Sequence, residues 1–170
     1  MNKQIEKMLN DQMNFEFYSA YIYKAMAAYC DSIDLPGFAN WLKVQVQEEM
    51  FHSDKFYNFL IERRGRPFFT KVDEPGKDWP SVKAAFEDAF KHEQIVTERI
   101  NKIMTAAIEA HDHATRSFLD WFVDEQVEEE ANVDAVIKQL ERIKESPEGL
   151  FFLDKEMAAR TFTPPTTAAK

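Results

Sequence analysis

Six polar residues break apolar helical stripes in this chain: Glu16, Glu49, His52, Glu93, Gln126 and Glu129. A bare carboxylate in an apolar interior is costly, and several converging carboxylates repel one another as well. A bound cation removes both penalties. Glu49-x-x-His52 and Gln126-x-x-Glu129 are each spaced i, i+3, so both members of a pair project from one helix face toward a shared cation. Either pair alone carries little weight, because such pairs are common on solvated helices. The set is specific: a carboxylate, Glu-x-x-His, a second carboxylate and Gln-x-x-Glu, one per stripe.

The spacing between stripes supports convergence. Glu16 and Glu49 lie 33 positions apart, and so do Glu93 and Gln126. If each half is a helical hairpin, equal offsets put each pair at one height. Two related halves then bring all four positions to one level.

The elements that must hold these residues follow from periodicity and breakers. A first helix is expected over about Lys3–Ile33, with Asp34 as N-cap of a second over about Pro36–Arg64, stopped by Gly65. Gly65–Trp79, with extended chain through Pro67–Val72, reads as a long connection. A third helix starts near Trp79-Pro80, with Pro80 in its first turn, and runs to about Ala110. A fourth runs from the His111-Asp112-His113 turn to about Glu145. A short fifth helix opens at Ser146-Pro147 and ends near Arg160. The apolar stripes are Ile5, Leu9, Tyr23, Met26, Cys30; Phe38, Leu42, Val46, Phe56, Leu60; Val82, Phe86, Ala89, Val96, Ile100, Ile103; and Leu119, Phe122, Val133, Val136, Leu140. Short turns make antiparallel neighbours, whereas a mostly extended stretch can run the length of a bundle and leave its flanking helices parallel. The expected fold is all-α: an up-down four-helix bundle with one long crossover and a short fifth helix. Residues 1–160 form this unit, and residues 161–170 an extended or disordered tail.

Composition bounds the function. The 170 residues carry a net charge of −9, opposite to the usual balance of a nucleic-acid binder and suited to attracting cations. The lone cysteine, Cys30, excludes an internal disulfide and any CxxC knuckle. The charged N-terminus lacks the apolar core of a signal peptide, and no apolar run is long enough to span a membrane, so a cytoplasmic setting is expected.

Four stretches carry a family resemblance: Asn14-Phe-Glu-Phe-Tyr-Ser-Ala-Tyr-Ile-Tyr23, Gln47-Glu-Glu-Met-Phe-His52, His92-Glu93 and Trp121-Phe-Val-Asp-Glu-Gln-Val-Glu-Glu-Glu130. In these the chain resembles the non-haem bacterial ferritins from its first helix to its fifth. The resemblance implies a ferroxidase that oxidises Fe(II) with O2 or H2O2 at a di-iron centre. It implies storage of ferric mineral inside a homo-oligomeric shell of ~24 subunits. It assigns Glu16, Glu49 and His52 to a first iron, with Glu49 bridging to a second bound by Glu93, and Gln126 and Glu129 nearby. A third iron site would use Glu48, Glu125, Glu128 and Glu129. Tyr23 would stand beside the first iron as an electron donor, with Trp121 further out. Carboxylate and imidazole ligands suit Fe(II), and oxygen-rich sites also suit Fe(III).

Bacterioferritins repeat Glu-x-x-His on the fourth helix, where this chain has Gln126-x-x-Glu129. Met50 follows Glu49 as a haem-ligating methionine would, but packing is the simpler role, and haem is not expected. Gln126 in place of a carboxylate should weaken the second iron position. His92, about 100° around the helix from Glu93, reads as a surface residue, and His111 and His113 as helix-end residues. The alternatives are a haem-binding bacterioferritin-like variant, a di-manganese oxidase on the same fold, and a non-enzymatic helix bundle.

Overall fold

Asn2 caps the first helix, its side-chain oxygen accepting from the Gln4 amide at 2.8 Å. From there the computed structural model describes residues 1–144 and 146–164. It contains α1 (Lys3–Ser32), α2 (Pro36–Glu62), α3 (Val82–Glu109), α4 (His113–Ile143) and α5 (Pro147–Met157), and no strand among the described residues. The expected four-helix bundle with a short fifth helix is what forms. Residues 161–164 carry no regular structure. Glu145 and the end of the expected tail, residues 165–170, lie outside the described residues.

Helix boundaries correct the sequence reading at three points. Asp34 is not the N-cap of α2; it takes a left-handed conformation (φ 59°) that ends α1. The amide of Leu35 then bonds the Cys30 carbonyl at 3.0 Å, closing the last turn of α1. Arg64, rather than Gly65, is the left-handed residue ending α2 (φ 59°), and the Gly65 amide bonds the Leu60 carbonyl at 2.8 Å. Pro80 lies before α3, whose N-cap is Ser81.

The missing cap of α2 comes from elsewhere in the chain. Asp154 on α5 accepts from the amides of Gly37 (2.8 Å) and Phe38 (3.0 Å), two of the orphan donors of the first turn of α2. A Cβ on Gly37 would sit 1.6 Å from the Asp154 carbonyl oxygen, so only glycine permits this approach.

The long connection is tied to α1 by two asparagines one turn apart. Asn10 donates to the Arg66 carbonyl (3.2 Å) and accepts from the Phe68 amide (2.9 Å). Asn14 donates to the Phe68 carbonyl (2.9 Å) and accepts from the Thr70 amide (2.8 Å). Further along, Trp79 meets the Tyr29 ring at 5.3 Å. The connection therefore ascends alongside α1, so α2 and α3 run parallel, as expected.

The core is divided. One apolar cluster holds Tyr23–Cys30, Leu35–Leu42, Val82–Ala89 and Val133–Leu140, with α5 against it. The other holds Ile5–Met13, Phe56–Leu60, Val96–Ile103 and Leu119–Phe122. Of the expected stripe residues only Val46 is partly exposed rather than buried. Between the clusters lies a band of buried polar side chains.

Asn10 is fully buried and bonds only through its amide group, so Asn10→Ala should cost about 1–3 kcal/mol. Hydrogen exchange should accelerate first at residues 66–70, with helicity retained. Uniform exchange changes across all helices would contradict this local role.

Candidate metal centre

Each of the four long helices contributes to the polar band. Glu16, Glu49, His52, Glu93, Gln126 and Glu129 are all at most 3% exposed. The 33-residue offset is visible as direct contact across the second hairpin. Gln126 donates to both the Glu93 carboxylate (3.1 Å) and its backbone carbonyl (3.3 Å), and Thr97 donates to Glu130 at 2.6 Å.

Two groups of possible ligand atoms converge, each within 4.8 Å of one another: Glu16, Glu49 and His52, and then His52, Glu125 and Glu129. His52 belongs to both, its Nδ1 lying 3.5 Å from Glu49 and its Nε2 3.8 Å from Glu125. Glu93 stands outside these groups, with its oxygens engaged by the Tyr23 hydroxyl and by Gln126. Glu48 and Glu128 also stand outside them. Glu48 is held at 2.6 Å by Arg160, and Glu128 is exposed. Tyr23 is fully buried against Glu93. Trp121 packs on the His52 ring at 5.5 Å. Met50 is 36% exposed on the outer side of α2.

Buried oxygens without partners test whether the band fits a cation. Glu16 Oε2, Glu49 Oε2 and Gln45 Oε1 have no hydrogen bond. The 3.5 Å approach of His52 to Glu49 offers ionic attraction without a directed bond. Such orphaned buried acceptors are rare in native interiors and demand a partner. A hard cation coordinated by carboxylate and imidazole supplies one.

The titration behaviour agrees. Burial raises the Glu16 carboxyl above its ordinary value and lifts Glu49 far above it, the latter reinforced by the Glu93 charge. Burial likewise pushes Glu93 to about 7 and Glu129 to about 8. His52 moves the other way from a simple buried histidine. Burial would lower it, but the adjoining carboxylates of Glu125, Glu49 and Glu16 raise it well above 6.5. Without metal, protons do the work of a cation.

The sequence reading of His92 is corrected here. It is 8% exposed, with Nε2 2.7 Å from Ser19 Oγ and its ring stacked on Phe15 at 5.2 Å. Burial and the nearby Arg99 lower it to about 4, so it is a neutral packing residue. The angular offset from Glu93 was sound, but α3 also packs on α1, which widens its buried arc. Sequence reasoning missed Gln12, which donates to Glu16 at 2.9 Å, and Gln45, which donates to Glu129 at 2.8 Å. A signal was available: Gln12 and Gln45 are also 33 positions apart, one turn before Glu16 and Glu49.

Raised carboxyl values set the pH response of the metal-free protein. Stability from protonated Glu93 and Glu129 is full below about 4.5 and is lost as pH rises through about 7 and about 8. A divalent metal replaces those protons, so its stabilisation should grow with pH. The Tm difference between metal-loaded and metal-free protein should therefore widen from pH 6 to pH 8.5, with protons released on loading. A constant difference would contradict the assignment.

The comparisons agree with this geometry. The ferritin-like domain family matches residues 6–143. Bacterial non-heme ferritins of Staphylococcus saprophyticus and Staphylococcus aureus are each 43% identical over 162 residues, covering 95% of this chain and 97% and 98% of theirs. An open pore ferritin from the hyperthermophilic archaeon Archaeoglobus fulgidus superposes with a TM-score of 0.94 at 45% identity, covering 95% of this chain and 99% of that one. An engineered closed form of the same archaeal ferritin gives 0.95 at 46%, covering 96% and 99%. With the family match spanning its four long helices and its curated relatives alike over nearly their whole length, the chain belongs to the ferritin family.

Proposed function

We propose that this chain is a ferroxidase and iron-storage subunit. The observation that carries the reading is the pair of unpartnered, fully buried carboxylate oxygens, Glu16 Oε2 and Glu49 Oε2, beside His52. Here iron is substrate and cargo. Glu16, Glu49 and His52 take the first Fe(II). Glu49 bridges toward a second Fe(II) held by Glu93, with Gln126 and Glu129 completing its surroundings. Each Fe(II) gives up one electron. Two electrons and two protons convert O2 to H2O2, or H2O2 to two waters. Protons displaced from the carboxyls as metal enters are available for that reduction. The apolar clusters above and below keep bulk water from the site and hold the ligands in place.

Tyr23, which donates its hydroxyl proton toward Glu93, stands where a phenol can supply a further electron. The ferric product then passes to the interior of a homo-oligomeric shell of ~24 copies and mineralises there. Ile108, Val127 and Phe152 are each more than half exposed on the single chain, which suits burial against neighbouring copies. A cytoplasmic, reducing compartment suits the free buried Cys30.

Aerobic addition of Fe(II), followed by ferric absorbance, tests the reading. A fast phase should saturate at about two irons per chain. In Glu49→Ala it should fall by more than the roughly 10–100-fold typical of losing an outer ligand-orienting partner. Ferric absorbance that develops equally fast in Glu49→Ala and wild type would overturn the proposal. Electron-dense cores in iron-loaded particles would support storage.

A further inference from the structure

The second convergent group, His52, Glu125 and Glu129, has a third carboxylate, Glu48, at its edge. Glu48 feels the charges of His52, Glu125 and Glu128, so it belongs to the same electrostatic neighbourhood. Left alone, three carboxylates there would draw in a further cation. A side chain from the far end of the chain already meets that need.

Residues after α5 fold back along α2. Asn40 donates to the carbonyls of Ala158 (3.2 Å) and Arg160 (3.0 Å), which fixes the direction of the segment. The Arg160 guanidinium lies 4.1 Å over the Trp41 ring and donates to the Trp41 carbonyl at 3.3 Å. It then donates to Glu48 Oε2 at 2.6 Å, a short charge-assisted bond. One turn further along α2, Phe162 meets Phe51 at 6.3 Å. The side chains of Arg160 and Glu48 are only 19% and 22% exposed, so water screens the pair incompletely. This is a held position, with a stacked, hydrogen-bonded guanidinium, rather than a loose surface ion pair.

We propose that Arg160 is a tethered counter-cation that withholds Glu48 from the inner acidic group, so that each chain binds metal at two positions and not at a third. The inference rests on the proposed metal centre and adds a limit to it. A guanidinium keeps its proton wherever carboxylates titrate, so Arg160 supplies a permanent positive charge. Its positive charge also opposes any incoming cation a few ångströms away.

Zn(II), which does not change oxidation state, separates binding from catalysis. Calorimetric titration of the assembled protein with Zn(II) should give two sites per chain in wild type. Arg160→Gln should add a third, with affinity at that position raised on the order of tenfold or more. Arg160→Lys should stay at two, because the charge is kept. Arg160→Gln combined with Glu48→Gln should return to two. Equal stoichiometry in wild type and Arg160→Gln overturns the proposal, as does a third Zn(II) that persists in the double variant. Anomalous scattering from Zn(II)-soaked wild-type crystals decides the matter without any substitution: metal on Glu48 with Arg160 still in place overturns it. Absence of any Zn(II) in the wild-type band would instead defeat the metal-centre reading itself.

Discussion

Carboxylates from four separate helices meet in a layer with apolar core on both sides, and most of the architecture follows from that layer. Four long rods could pack with a continuous apolar seam and would be more stable for it, since well-packed apolar residues often match or outperform buried ionic groups. Instead Glu16, Glu49, His52, Glu93, Gln126 and Glu129 split the core into two clusters. The stability that the layer forgoes is recovered only when something positive occupies it. Folding and cargo are therefore coupled through one set of side chains.

The apolar clusters fix the layer from outside. Ring contacts such as Phe56 on Phe122 at 4.4 Å and Trp121 on His52 at 5.5 Å leave the imidazole few alternative rotamers. The crossover and α5 act at longer range. Asn10 and Asn14 pin the connection that makes α2 and α3 parallel, and Asp154 caps α2 from the opposite end of the chain. Each device sets the height of a helix, and height decides whether ligands on different helices meet.

Much of this was legible in the sequence because it is periodic. The stripes, the 33-residue offset and the crossover length each state a distance along a helix, and helices convert sequence distance to height at a fixed rise. What remained hidden depends on contacts between distant segments. No local pattern announces that Asp154 caps α2 or that Arg160 reaches Glu48. Asp34 looked like a cap because it precedes Pro36, yet the left-handed end of α1 claims it. Arg64 adopts the conformation expected of Gly65, at a cost of about 1–2 kcal/mol that the closing hydrogen bonds of the turn help offset. His92 was misjudged because one helical wheel shows one neighbour, and a bundle helix has two.

The two halves share an offset but not a ligand set, and that asymmetry orders events at the site. In the first half, Glu16 and Glu49 each present a free oxygen next to an imidazole. A cation entering there displaces protons and breaks little. In the second half, Glu93 has one oxygen bonded to Tyr23 and the other to Gln126. A cation arriving at that carboxylate must break those bonds and leave a buried phenol and a buried amide in search of new partners. Gln126 adds no charge to compensate. Filling the first position brings positive charge close to Glu49 and Glu93, which favours their ionised forms and lowers the cost of the rearrangement. On the proposed two-metal reading, the first position would fill before the second, and the hydroxyl of Tyr23 would be freed from its carboxylate only as the second fills.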